Sequence, residues 1–73
     1  MGVLIKVFDS RTGNFASNKK VSLHSAMGYR TATTDSSGAA NFPQANSGNY
    51  TVYVDGREVH KGSIVGVITV TIW

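Results

Sequence analysis

The chain has 73 residues, no cysteine and a formal net charge of +3. This length allows a single domain, residues 1–73, with one hydrophobic core, and so small a domain buries only about 60% of its unfolded surface. Without cysteine the chain has no disulfide, no thiolate ligand for zinc and no thiol nucleophile, so packing or association with another chain must supply its stability.

Short runs of β-branched and aromatic residues alternate with turn-forming Gly, Asn, Asp and Ser, and no window keeps the apolar period of a helix. The predicted strands are residues 3–8, 20–25, 29–34, 39–42, 49–54, 57–61 and 64–73. Gly62 is predicted to break the chain between the last two strands. About seven short strands with frequent turns are typical of a β-sandwich, so we expect an all-β fold of this kind.

Turns are also predicted at Met27-Gly28 and in the loop 43–48, and three further predicted turns begin with aspartate. They are residues 9–14 after Asp9, residues 35–38 after Asp35, and the Asp-Gly hairpin of Asp55 and Gly56. An aspartate in such a position accepts hydrogen bonds from nearby backbone amides, and Asp-Gly favours a two-residue hairpin turn. We therefore expect these carboxylates to hold turns rather than to take part in catalysis.

A set of spaced residues matches a known family. The motifs are Val7-x-Asp9-x-x-Thr12-Gly13, Val21-x-Leu23, Thr34-Asp35-x-x-Gly38-x-x-x-Phe42 and Gly48-x-Tyr50-x-Val52-x-Val54. Over residues 3–54 the chain resembles the carboxypeptidase regulatory-like, or transthyretin-like, β-sandwich family, whereas its final strands fit in length only. The resemblance implies an Ig-like sandwich with Val3, Ile5 and Val7 facing inward and the first and last strands adjacent. It implies no activity, because one fold hosts unrelated sites.

Two activities found among relatives of that family are not expected. Adhesin B-type repeats join a first-strand Lys to a last-strand Asn or Asp, and Lys6 has no such partner because residues 64–73 contain no Asn, Asp or Glu. Hydroxyisourate hydrolases end in Tyr-Arg-Gly-Ser, whereas this chain ends in Thr71-Ile72-Trp73.

The sequence predicts no catalytic, cofactor or metal site. His24 and His60 are the only histidines, and they lack the spacing of metal ligands. No Gly-x-Ser-x-Gly element is present, and Glu58 is the only glutamate, which excludes a mechanism with paired Glu residues. We expect a protein that is not an enzyme, with a hydrolase or metal site at the two histidines as the minor alternative.

Apolar residues on the terminal strands predict an interface. In the last strand Ile68, Val70 and Ile72 form the better core face, so the intervening residues point outward. If the first and last strands are neighbours, one outer face gathers Leu4, Phe8, Val67 and Trp73. Exposed apolar patches and apolar edge strands mark interaction surfaces. The alternatives are a shifted register, or a face covered by the loop 43–48.

We therefore predict a non-enzymatic structural or protein-interaction module, forming a homo-oligomer or docking another protein. The alternative is a carbohydrate-binding module in which Tyr29, Tyr53 and Trp73 stack on sugar rings. Scattered basic residues argue against specific nucleic-acid binding. No membrane partner is expected, because no apolar stretch approaches the roughly 20 residues of a spanning helix. The segment 1–6 is no signal peptide, so the location is cytoplasmic if the chain is complete, and extracellular or periplasmic if a leader was removed.

Overall fold

The computed structural model describes residues 2–73, which form eight β-strands and no helix. The strands are β1 (Val3–Asp9), β2 (Asn14–Phe15), β3 (Lys20–Ser25), β4 (Gly28–Thr33), β5 (Ala39–Phe42), β6 (Gly48–Val54), β7 (Arg57–Ile64) and β8 (Val67–Ile72). They make two four-stranded sheets that enclose a common core. The prediction of an all-β sandwich is confirmed.

The first sheet is built around β1. Strand β8 runs parallel to it, from Leu4 opposite Val67 to Asp9 opposite Ile72. Strand β5 pairs antiparallel with the first half of β1, and β2 pairs with its last two residues. Because β8 occupies one edge of β1 along nearly its whole length, β5 and β2 share the opposite edge. The first and last strands are therefore neighbours, as predicted.

The second sheet is antiparallel throughout, in the order β4-β3-β6-β7. Its hairpin between β6 and β7 turns at Asp55 and Gly56, both of which have positive φ (52° and 83°). That combination is typical of the type I′ turn that Asp-Gly favours. The pairing of β6 with β7 shifts between Val52 and Tyr53, since these face His60 and Glu58, which leaves Val59 as an extra residue in β7.

The core lies between the inner faces of the two sheets, and strand alternation decides which residues enter it. In β1 the inward residues are Val3, Ile5 and Val7, as predicted. The complete set of buried apolar residues is Val3, Ile5, Val7, Val21, Leu23, Ala40, Phe42, Ala45, Val52, Val54, Ile64 and Val70. Tyr50, also expected in the core, is only half-buried, and its hydroxyl donates a hydrogen bond to the carbonyl oxygen of Asn46 at 2.7 Å.

Two predictions about the strands were wrong. Gly62 does not end a strand: β7 continues through it to the buried Ile64, because glycine tolerates the φ of 142° at that position while still pairing with Tyr50. The chain turns instead at Gly66, whose φ is 66°. Ile64 therefore belongs to β7 and the last strand starts at Val67. The short strand β2 was not predicted, since a two-residue segment shows no alternation.

The turn between β4 and β5 depends on Asp35. Its carboxylate accepts hydrogen bonds from the Ser37 hydroxyl (2.7 Å), the Ser37 amide (2.9 Å) and the Ala39 amide (3.1 Å). These bonds, that of the Ser37 hydroxyl first, lower the pKa of Asp35 below its ordinary value of 3.8. Gly38 completes the turn at a φ of 81°, where its Cα lies close to β1 and β2.

Replacing the Asp35 carboxylate should give a pH-dependent loss of stability. A folded-state pKa below the unfolded value means that the carboxylate stabilises the fold above the unfolded pKa, and that this contribution is lost as pH falls through the folded pKa. Thermal unfolding of Asp35→Ala should therefore differ from wild type at neutral pH, and the difference should shrink between about pH 5 and pH 2. Ser36→Ala, in the same turn, is the control. A difference that stayed constant with pH would contradict the prediction.

Gly38→Ala should be clearly more damaging than Gly13→Ala. Both glycines have similar positive φ values, 81° and 76°, so both substitutions carry the same backbone strain. A Cβ at Gly38 would lie 2.6 Å from the Phe15 Cβ and 3.2 Å from the Val7 carbonyl oxygen, whereas one at Gly13 would meet nothing within 4 Å. Overpacking should add about 1–3 kcal/mol of destabilisation at Gly38, measurable by urea denaturation. An equal loss of unfolding free energy in the two variants would contradict this prediction and show that the turn at Gly38 can move away from β1.

Candidate interaction site

The outer face of the first sheet carries most of the residues predicted to form an interface. The pairing of β1 places Leu4 directly beside Val67 on β8. Phe8 lies further along β1, beside Thr71 on β8 and Phe15 on β2. Val67 is exposed and Leu4 and Phe8 are half-buried, so the outward direction predicted for all of them is correct. We call this surface the terminal-strand face.

Lys6 interrupts the terminal-strand face between Leu4 and Phe8. Its ammonium group lies 4.5 Å from the centroid of the Phe15 ring, a cation–π contact. The Phe15 ring in turn meets the Phe8 ring edge to face, with centroids 5.4 Å apart. The apolar surface is thus divided into a Leu4 and Val67 half and a Phe8 and Phe15 half, with one charge between them.

Trp73 lies at the far end of β8 from Leu4 and Val67. Its ring stacks 4.3 Å from the Arg57 guanidinium, and Arg57 donates a hydrogen bond to the Trp73 carbonyl oxygen at 3.3 Å. Because Arg57 belongs to β7, this contact joins the end of the first sheet to the second sheet. Trp73 nevertheless stays exposed. The structure therefore brings Leu4 and Val67 together, places Phe8 further along β1, and sets Trp73 apart from them, beyond the end of β8 and against Arg57. The joint role of these four residues as an interface stays a prediction.

The outer face of the second sheet holds an aromatic cluster that was not predicted from the sequence. His24 stacks on Tyr29 with centroids 5.2 Å apart and meets Tyr53 edge to face at 4.7 Å. The register produces this contact, since His24 faces Tyr29 across β3 and β4, while Tyr53 on β6 is opposite Ser22. We call His24, Tyr29 and Tyr53 the aromatic face.

Two shallow depressions flank His24 on the aromatic face. One, of about 400 Å³, lies towards Thr51 and Lys61, and the other, of about 250 Å³, lies towards Lys20 and Tyr53. Hydroxyl and ammonium groups therefore border the stacked rings. Trp73, which the sequence grouped with Tyr29 and Tyr53 as a sugar-stacking set, instead follows β8, stacks on Arg57 and does not join them.

The two histidines lie on opposite faces of the second sheet. His24 is exposed on the aromatic face, whereas His60 pairs with the buried Val52 and so points inward. The His60 Nε2 is buried and has no hydrogen-bond partner among residues 2–73. Within those residues, no group of three or more His, Cys, Asp or Glu side chains comes together in a way that could hold a metal ion.

Two other carboxylates, those of Asp9 and Asp55, bind groups of the fold. Asp9 accepts a hydrogen bond from the Arg11 amide at 2.9 Å, as expected for a turn. Asp55 reaches across to β3 instead, accepting from the Lys20 amide at 3.2 Å, with the Lys19 ammonium 3.6 Å from its other oxygen. The carboxylates of these residues therefore fix loops to strands.

Comparison with protein-family models and with curated proteins found no significant match. The resemblance to the carboxypeptidase regulatory-like family therefore stays a prediction based on the turn and strand motifs. Across the part of the chain that the structure describes, no helix is long and apolar enough to cross a membrane. The protein is thus a small all-β sandwich whose two outer faces, the terminal-strand face and the aromatic face, present different side chains.

Proposed function

We propose that this chain is a non-enzymatic interaction module that self-associates through the sheet of its first and last strands. The proposal rests on the location of exposed apolar side chains near the end of the chain. Val65, Val67 and Trp73 are 70%, 59% and 57% exposed and all lie in β8 or its immediate flanks. Leu4 and Phe8, half-buried on the adjacent β1, extend the same surface. Exposed apolar groups along two neighbouring strands favour a binding surface here, with Lys6 between its Leu4 and Phe8 halves.

The size of the domain adds a thermodynamic reason for association. A chain this short, without disulfides, has a modest core, and oligomerisation is one of the ways in which small domains gain stability. Full burial of a large apolar side chain contributes about 1.5–3 kcal/mol. Covering Val67 and Trp73 in a partner would therefore add stability that the isolated sandwich lacks.

The arrangement of polar side chains supports a non-enzymatic role. Asp9, Asp35 and Asp55 are engaged by backbone amides of the fold. His24 stacks between aromatic rings, and His60 points away from it into the sandwich. A general acid or base has to lie within hydrogen-bonding reach of the substrate atom whose proton it transfers. The aspartate and histidine side chains named here do not come together at a single site where a substrate could be held in this way.

Light scattering behind a sizing column, over a wide dilution range, tests this proposal. We expect a stable multiple of the 7.8 kDa chain mass. Trp73→Ala should weaken association about tenfold or more, because large aromatics act as hot spots, with little effect on monomer folding since the ring is largely exposed. Met27→Ala, which removes a 98% exposed apolar side chain elsewhere, is the control. A monomer at every concentration would overturn the proposal.

The aromatic face supports carbohydrate binding as a second candidate function. Tyr29 is 70% exposed beside His24, and Lys20, Thr51 and Lys61 border the adjoining depressions. Aromatic faces bury the apolar side of a flat ligand, while neighbouring polar groups fix its orientation. This arrangement suits a sugar ring better than the dispersed set that the sequence suggested.

A glycan array followed by NMR titration of any hit tests this second function. Tyr29→Ala and Tyr53→Ala should each abolish or strongly reduce binding of a hit, because both rings contact His24. Trp73→Ala should leave sugar binding unchanged, because Trp73 stacks on Arg57 and makes no contact with the His24 cluster. The absence of binding to any glycan, or an equal loss with Trp73→Ala, would contradict the assignment to the aromatic face.

A further inference from the structure

Strand β8 has one unpaired edge. It pairs with β1 alone among the strands of residues 2–73. The carbonyl oxygens of Gly66 and Ile72 accept hydrogen bonds from the amides of Leu4 and Ser10 on the β1 side, each at 2.9 Å. Backbone groups of a strand alternate between its two edges, so every second residue after Gly66 also faces β1. The amides and carbonyls of Val67, Thr69 and Thr71 therefore point to the free edge.

This edge lacks the features that usually prevent strand pairing between molecules. Residues 62–73 contain no charged residue and no proline. Charges, prolines and bulges are the common protections of an exposed edge. The neighbouring edge strand β7 has two of them, since it carries Arg57, Glu58 and Lys61 and a bulge at Val59. Of these two edges on the same side of the sandwich, β8 is the one open to a further strand.

We propose that β8 pairs antiparallel with β8 of a second copy, around a two-fold axis at Thr69, so that the two first sheets become one continuous sheet. This proposal rests on the self-association proposed above and specifies its geometry. The outward-facing backbone groups of Val67, Thr69 and Thr71 would meet those of Thr71, Thr69 and Val67 in the other copy. About six hydrogen bonds would form between the edges.

The side chains of this segment are complementary to themselves in that register. Val67 comes opposite Thr71, so this exposed apolar residue gains an uncharged, β-branched partner. Thr69 faces its own copy. Pairs of β-branched residues across neighbouring strands stabilise a sheet. A centre at Thr69 is the one that aligns all three residues of the free edge, Val67, Thr69 and Thr71, with those of a second copy. None of them is charged, and this self-matching stretch favours a second copy over an unrelated strand.

The same pairing would extend the core. Ile68 and Ile72 point inward from β8 but remain half-buried, because β8 is the last strand of its sheet. An added strand would place the inward side chains of the partner against them. The most hydrophobic face of β8 would then be covered from both sides, as it is in the centre of a sheet.

Charge does not oppose this contact. The nearest cation on the outer face is Lys6, which lies beside Thr69 on β1. The two Lys6 residues of a pair would be three strand spacings apart, about 14 Å. This separation exceeds the screening length of about 8 Å at physiological salt. The Lys6 charges of the two copies therefore repel each other little across the seam.

Single-cysteine variants test the register directly, because the chain has no cysteine of its own. Directly paired antiparallel residues have Cα atoms about 5.5 Å apart, within the range that a disulfide spans. Thr69→Cys should therefore form disulfide-linked dimers under mild oxidation as the main product. Thr31→Cys, an exposed threonine on the second sheet, is the matched control and should remain largely unlinked. Melting curves of both reduced variants establish that they fold.

A mixed experiment checks the antiparallel direction. Val67→Cys and Thr71→Cys should cross-link when mixed and much less when each is alone, because each faces the other residue in the partner. Thr69→Lys places two ammonium groups at the two-fold axis and should raise the dimer dissociation constant about tenfold or more.

The outcomes distinguish the proposed pairing of the β8 edges from self-association by any other geometry. If light scattering shows a dimer but Thr69→Cys does not link, or links no better than Thr31→Cys, the edge geometry is wrong and self-association stands. If the wild-type chain is a monomer at every concentration, both proposals are wrong.

Discussion

The parallel pairing of β1 with β8 is the contact on which the rest of the structure depends. It is the only parallel pair in the described part of the chain, and it joins the two ends of the sequence. With β8 in place, β1 is a central strand whose inner residues Val3, Ile5 and Val7 can be fully buried. At its far end the Ser10 amide and hydroxyl both donate to the Ile72 carbonyl oxygen, at 2.9 and 3.0 Å.

The same pairing determines which surfaces are left for interaction. Because β1 is flanked on both sides, its outer residues are partly covered by their neighbours, whereas β8 has a neighbour on one side only. The exposure of Val67 beside the half-buried Leu4 follows from this difference. A strand that is needed to complete the core is thus also the strand with an open edge. In the proposed self-association, the segment that completes the core is therefore also the one that meets the partner.

Much of the fold could be predicted from strand alternation and turn motifs, because both are set by residues close in sequence. The alternation of Val3, Ile5 and Val7 sets one inward face, and the Asp-Gly pair at Asp55 fixes a hairpin. The path through Gly62 could not be predicted, since glycine allows both a break and an extended residue. The strand continues through Gly62 to Ile64, which is buried in the core, and that burial is a tertiary effect.

The candidate sites were harder to predict, because they depend on register between distant strands. The outward direction of Leu4 and Val67 follows from alternation, but their direct adjacency needs the β1–β8 register. The cluster of His24 with Tyr29 and Tyr53 draws on three strands, and no spacing in the sequence indicates it. Cross-strand register is set by the whole core, so a single sequence carries only part of that information.

The position of β8 also has a consequence for how the domain folds. Contacts between residues far apart in sequence close large loops, and folds dominated by such contacts form slowly. In the second sheet two of the three strand pairs, β3 with β4 and β6 with β7, are sequential hairpins, whereas β1 has both of its edges paired only once β8 has been synthesised. Until then the apolar strand β1 presents an open edge of its own. The pairing of β8 is therefore the step that closes the second edge of β1.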